Sequence, residues 1–256
     1  VDINKCNQCH DQLSLHGGNR TDEPQVCVTC HNPSLTDISY TANFNSGACN
    51  GQPARPKQLD GGGFILYPLE SCLDGQTEQA AQFKVLIHGL HAGAFRTGPP
   101  FQVRRNNFKE EVHFPGILSD CETCHRPGTY TLTGAWEAPA LNGLQSATVK
   151  ATPGVDSSNV EPNAYGATLN DQADDLRTSP TAAACAACHD SQVVQAHMME
   201  LGGAVFGTKT QQEITDEATG GVKMETCSVC HGPNAIADVA VVHAEATARE
   251  KGQVLP

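Results

Sequence analysis

Cys6-Asn7-Gln8-Cys9-His10 and Cys27-Val28-Thr29-Cys30-His31 spell one pattern, Cys-x-x-Cys-His, twice near the start of the chain. It returns as Cys121-Glu122-Thr123-Cys124-His125, Cys185-Ala186-Ala187-Cys188-His189 and Cys227-Ser228-Val229-Cys230-His231. This is the spacing of covalent c-type haem attachment. Two thiols one turn apart reach two vinyl groups on one porphyrin edge and form thioethers. The histidine that follows then sits under the ring and offers a nitrogen to the iron. Five copies predict five c-type haems. Their thioether residues are Cys6, Cys9, Cys27, Cys30, Cys121, Cys124, Cys185, Cys188, Cys227 and Cys230, and their proximal ligands are His10, His31, His125, His189 and His231. Structural zinc takes four Cys/His ligands, commonly from paired knuckles, and an odd number of such motifs does not divide into those sites. A dithiol redox pair needs neither the histidine nor five repeats.

Composition agrees with this reading. Aromatic residues make up 5% of the 256 residues and Trp136 is the one tryptophan, while glycine and proline number 24 and 15. Side chains alone would make a poor core, and loops should outweigh long regular elements. Porphyrins, one per about fifty residues, would supply the missing apolar bodies. The expected fold class is a multihaem cytochrome c: a few short α-helices and long irregular loops wrapped around five haems, with almost no β-strand. The expected organisation is a single pentahaem domain over residues 1–256.

The formal net charge is −12, and haem propionates would deepen it. Nucleic acid is a poor partner for such a surface, and a basic patch on a redox partner a better one. No stretch of about twenty apolar residues is present, so no membrane span is expected. The chain as written opens without a signal peptide. Because c-type haem is attached outside the bacterial inner membrane, an exported, mature or trimmed product is expected. Cys49 and Cys72 lie outside the motifs, and an even leftover pair in an exported protein most simply forms a disulfide. Such a bond would close a loop of about two dozen residues, worth roughly 3 kcal/mol in the chain-entropy model.

Along the chain, apolar Phe83, Leu86, Ile87 and Leu90 predict a helix over residues 77–96. Residues 126–178, rich in Gly, Pro, Asn, Asp, Ser and Thr, read as a long loop wrapping haem edges. Ser179-Pro180 reads as a helix start, with the helix running through Cys185, His189 and His197 to Gly202-Gly203. A last helix is expected from Ile236 to Lys251.

Eleven histidines are present and five belong to motifs, leaving His16, His88, His91, His113, His197 and His243 for five second axial positions. Met198, Met199 and Met224 could serve in principle, but with enough imidazoles they read as packing residues. His189 and His197, about 12 Å apart along one predicted helix, cannot grip one iron from opposite faces. His197 should therefore serve a different haem from the one attached at Cys188. His88 and His91, three residues apart, must likewise serve two haems and would hold them side by side. His113 precedes Phe114-Pro115 in extended backbone with no helix to present it, so it is taken as the spare, with His16 the next to be displaced. The distal set is then His16, His88, His91, His197 and His243.

The run Leu15-His16-Gly17-Gly18-Asn19-Arg20, followed by Cys30-His31-Asn32-Pro33, resembles outer-membrane multihaem cytochromes of metal-reducing bacteria, the OmcA/MtrC type. So do Ile87-His88-Gly89-Leu90-His91, Val112-His113-Phe114-Pro115-Gly116, His197-Met198 before Gly202-Gly203, and Cys230-His231-Gly232-Pro233. The resemblance covers nearly the whole chain in the same motif order. It implies alternating split β-barrel and pentahaem domains in a longer protein, of which this chain is similar to the C-terminal pentahaem half, either a fragment or a stand-alone relative. It further implies a place on the cell surface or outside the cell, with the periplasm as the alternative. The implied partners are other multihaem cytochromes or an outer-membrane porin–cytochrome complex, with metal oxides or flavins as acceptors.

The expected function is electron transfer along closely packed bis-histidine haems, without substrate-specific catalysis beyond metal reduction. The alternative is a multihaem reductase of a small oxyanion such as nitrite, which needs an open iron. Pentahaem nitrite reductases provide one at a Cys-x-x-Cys-Lys motif, and this chain has none.

Overall fold

The computed structural model describes residues 1–35 apart from 17 and 34, short strands at 42–43, 55–58, 64–67 and 72–73, and residues 80–98. It also describes 101–132 apart from 104–105, and 176–252 apart from 222–224. Most of the expected long loop, residues 133–175, lies outside the described residues.

The elements are short and keep company with the motifs. Helix α1 (Ile3–His10) holds the whole first motif and is capped by Asp2, whose side chain accepts from the Asn4 amide. A minute hairpin, β1 (Ser14–Leu15) against β2 (Arg20–Thr21), leads to α2 (Pro24–Cys30), which carries the second motif and has proline in its first turn. Strands β3 (Ala42–Asn43), β4 (Arg55–Gln58), β5 (Phe64–Tyr67) and β6 (Cys72–Leu73) form two antiparallel pairs, β3 with β6 and β4 with β5. Helix α3 (Phe83–Ala92) continues into a 3-10 turn at Gly93–Phe95. Then come β7 (Gln102–Val103), β8 (Asn106–Asn107), α4 (Phe108–Glu111) and a 3-10 turn at Cys121–Thr123 that bears the third motif. Strand β9 (Leu176–Thr178) precedes α5 (Pro180–Cys185) and α6 (Gln192–Glu200). Strand β10 (Phe206–Thr210) returns to pair with β9, and α7 (Gln211–Thr219), α8 (Ser228–His231) and α9 (Val239–Glu250) complete the order.

The predominance of short helices agrees with the expected class, whereas the strands are more numerous than expected. Each is two to five residues long and finds one partner, too short for a period-two pattern to be visible in sequence. The helix expected from Ser179 through His197 is two helices. The first ends at Cys185 and the second begins at Gln192; between them lies Asp190, whose carboxylate accepts from the Thr97 amide and hydroxyl and from the Gly98 amide and pairs with Arg96. Ser191 then caps α6 by accepting from the Val194 amide. Four bonds to a distant loop outweigh the continuity of one helix.

The ten described cysteines are all free. Cys49 and the side chain of Cys72 lie outside the described residues, and the structure gives the expected disulfide between them no support.

Among the described residues, the buried apolar side chains are small. Besides Phe101, Val205 and Ile214 they are alanines: Ala80, Ala81, Ala92, Ala182, Ala183, Ala187 and Ala204. The one apolar cluster among the described residues sets Ala81 and Phe101 against Leu35, Val85, Leu86, Leu90 and Phe108. It depends on Gly89, because a Cβ there would meet the Phe101 ring at 2.6 Å. Gly89→Ala should therefore force α3 away from Phe101 and cost about 1–3 kcal/mol. Chemical denaturation of the haem-loaded variant would measure this, and an unchanged midpoint would show that the ring moves aside freely.

Candidate haem sites

Each Cys-x-x-Cys-His segment closes a single helical turn. The first lies within α1. In the others the histidine amide donates to the carbonyl of the first cysteine: His31 to Cys27 at 2.8 Å, His125 to Cys121 at 2.9 Å, His189 to Cys185 at 2.8 Å and His231 to Cys227 at 2.8 Å. One turn brings a cysteine and its histidine to the same side of the backbone, as covalent attachment and ligation of one group require.

Opposite each motif histidine stands a histidine from elsewhere. His10 faces His91 with ring centres 6.0 Å apart, and His31 faces His16 at 6.2 Å. His125 faces His88 at 6.0 Å, His189 faces His243 at 6.0 Å and His231 faces His197 at 6.1 Å. The ring planes cross at angles from 25° to 86°. Aromatic attraction would select both distance and angle, yet here distance is constant and angle is free. Two imidazoles bound to one metal ion through nitrogens about 2.0–2.1 Å away have centres about 6 Å apart whatever their rotation. The donor set, two thiols and two facing imidazoles, fits a c-type haem at every motif.

Backbone carbonyls orient many of these rings. His31 Nδ1 contacts Ala81 O at 2.7 Å, His231 Nδ1 contacts Ala237 O at 3.0 Å, His91 Nδ1 contacts Ile87 O at 2.8 Å and His243 Nδ1 contacts Val239 O at 2.8 Å. A carbonyl can only accept, so Nδ1 carries the hydrogen and the Nε2 lone pair is left for a metal. Burial, reinforced by His125, His91 and Lys84, pushes His88 down to about 4. Burial also lowers His125, and lowers His189 together with His243 and His231. These imidazoles are held neutral, the form that binds iron.

Of the five histidines that face a motif histidine, helices present four: His88 and His91 on α3, His197 on α6 and His243 on α9. As expected from their spacing, His88 and His91 face different motifs, and His197 faces His231 rather than His189. His16 alone sits on a hairpin. His113 is exposed, and no imidazole faces it among the described residues.

The sites are bonded to one another. The Asp2 amide donates to Cys124 O at 3.0 Å, joining α1 to the third motif. Helix α9, which bears His243, meets the lead-in to the third motif through Ser119 Oγ and Thr247 Oγ1 at 2.9 Å and through Lys251 and Asp120 at 2.9 Å. The fourth and fifth motifs share Glu225, 0% exposed. It accepts from Ser179 Oγ at 2.6 Å, the Thr181 amide at 2.8 Å and the Ala182 amide at 2.9 Å. Glu225 thus caps α5, which ends at Cys185, from a position two residues before Cys227. Sequence reading misses it because its partners are more than forty residues away; the one local sign is a helix start at Ser179 whose own side chain caps nothing.

The matching family model is the outer membrane cytochrome MtrC/MtrF-like family, domains II/IV, over residues 1–244. The chain belongs to that family. Its membership carries electron transfer by multihaem cytochromes, outside the cell or at the outer membrane, in company with other cytochromes and porin–cytochrome complexes. No curated protein and no solved structure matched the chain. No helix among the described residues is long and apolar enough to cross a membrane.

Proposed function

We propose that this chain is a five-haem segment of an extracellular electron conduit. Every iron would be held by one motif histidine and one histidine from outside the motifs. The observation that carries this is the set of five facing pairs at one spacing, each pair mixing the two kinds. His10 and His91 would serve the first site, His31 and His16 the second, His125 and His88 the third, His189 and His243 the fourth, and His231 and His197 the fifth. The ten motif cysteines would hold the rings covalently. Bound haem would supply a one-electron ferric–ferrous couple at each site.

The bonds between sites support a row. The second adjoins the first through Asn7, which donates to Asp22 Oδ1 at 2.8 Å. Helix α3 ties the first to the third through His91 and His88, α9 ties the third to the fourth, and Glu225 ties the fourth to the fifth. The order second, first, third, fourth, fifth places neighbours close without requiring any residue to move. With both axial positions filled from the chain, no iron is left for an oxyanion substrate, and conduction is preferred to reduction of nitrite or a similar ion. Acceptors of the kind reached by outer-membrane cytochromes, namely metal oxides, flavins or partner cytochromes, suit an exported acidic chain of this family.

Intact mass should show five covalent haems, and the resting oxidised protein should give an electron paramagnetic resonance spectrum that is entirely low-spin. A stoichiometric high-spin signal in the resting protein would mean an open iron and would favour the reductase.

A further inference from the structure

We propose that His16 is the exchangeable axial histidine of this protein, and that the reduced second site accepts a small uncharged π-acceptor ligand, of the carbon monoxide and nitric oxide class, in its place. The proposal rests on the axial reading above and concerns how firmly each imidazole is held.

The other four histidines that face a motif histidine ride on helices, where neighbouring backbone bonds would have to break before the ring could leave. His16 rides on the tip between β1 and β2, strands of two residues each. Its backbone lies in the left-handed region at φ 56°. That conformation costs a residue with a side chain roughly 1–2 kcal/mol, so the bound position of His16 is held against a local restoring tendency. Ser14, Leu15, Gly18, Asn19 and Arg20 around it are all exposed. Beyond the 2.8 Å contact of Ser14 Oγ with Thr21 Oγ1, the side-chain bonds at the tip are long, 3.5 Å from Asn19 Nδ2 to His16 O and 3.3 Å from Thr21 Oγ1 to Gly18 O. No hydrogen bond orients the His16 ring among the described residues, whereas His91 and His243 each have one.

The base of the hairpin is firm. The Leu13 amide donates to Asn7 Oδ1 at 2.9 Å and the Asp22 amide to Leu13 O at 2.9 Å. The tip can therefore swing while its root stays on α1. Gly18, at φ 80°, offers the pivot, for even a Cβ there would meet nothing closer than Ser14 Oγ at 3.8 Å. Across the site, His31 is anchored by the 2.7 Å contact of Nδ1 with Ala81 O. Of the two imidazoles, His16 is the one that leaves. The exchange is a substitution in which the bond from the His16 nitrogen breaks and the bond to the incoming ligand replaces it. No electron is gained or lost, and the freed imidazole enters solvent.

The test is a carbon monoxide titration of the fully reduced haem-loaded protein, followed by Soret absorbance and by uptake per chain. One equivalent should bind. His16→Gly removes the imidazole and relieves the left-handed backbone. It should convert one haem to high spin in the oxidised protein and raise carbon monoxide affinity at least tenfold, while uptake stays at one per chain. Added imidazole should return that haem to low spin. His243→Ala, by contrast, should raise uptake from one to two. No uptake by the wild-type protein, or uptake rising to two in His16→Gly, would overturn the exchange while leaving the conduit reading intact. A His16→Gly protein that stays fully low-spin would overturn the axial assignment itself.

Discussion

Replacing the ten motif cysteines with serine is expected to leave a chain without a cooperative thermal transition and with the far-ultraviolet dichroism of a disordered polypeptide. The reason lies in what is buried. Among the described residues, seven of the ten buried apolar side chains are alanines, each able to bury little more than one methyl group at about 0.8 kcal/mol per carbon. Ordering the backbone costs about 1–2 kcal/mol per residue, and no helix among the described residues exceeds the twelve residues of α9, a length at which an isolated helix is marginal in water. The cluster around Phe101 cannot carry the motifs at 185–189 and 227–231, which lie on other elements. The facing histidines would add nothing on their own, since neutral rings about 6 Å apart attract weakly. Circular dichroism and hydrogen exchange on the serine variant would decide the matter. A sharp melt with native-like helix content would show that protein packing alone sustains the fold, and would undercut the view that the haems serve as its core.

How much of this was legible in the sequence depended on distance along the chain. The attachment motifs span five residues each, so their chemistry is written locally. Placing His88 and His91 at different sites needed only helix geometry. His197 stands opposite His231 although the spacing predicts one continuous helix, and the interruption between Cys185 and Gln192 was hidden because the partners of Asp190 within it, Thr97 and Gly98, lie some ninety residues away. His113 is exposed and faces no imidazole among the described residues, but its non-helical setting alone could not have decided this, since His16 is non-helical too and faces His31. The weak anchoring of His16 was not legible, since strain at φ 56° depends on how the hairpin closes. Glu225 was invisible for the same reason as the interruption between Cys185 and Gln192: nothing in Met224-Glu225-Thr226 announces a carboxylate that caps a helix from another part of the chain.

That carboxylate carries the second large effect. Glu225→Ala is expected to destabilise the haem-loaded protein by about 3–5 kcal/mol, the range for removing one partner of a buried, hydrogen-bonded charge. The loss has two sources. The Thr181 and Ala182 amides at the start of α5 lose their acceptor in a buried place, and an unpaired buried donor costs about 1–3 kcal/mol. Lys84, which donates to Pro180 O at 2.8 Å, also loses the charge that favours its protonated form. Burial already lowers Lys84 to about 8, against the upward pull of Glu225. The sign follows from linkage. Below about 8 the folded protein bears the full cost of a buried ammonium. Between about 8 and the ordinary lysine value of 10.5 the unfolded chain holds the proton more tightly, so the Lys84 contribution makes stability rise with pH. Lys84→Met should abolish that rise. Because Lys84 and Glu225 interact, Lys84→Met should also cost less in the Glu225→Ala background than alone, which denaturation of the two single variants and the double variant would measure. Additive losses would show that the two charges do not feel each other, and a Glu225→Ala protein as stable as the parent would mean that water replaces the carboxylate at the head of α5.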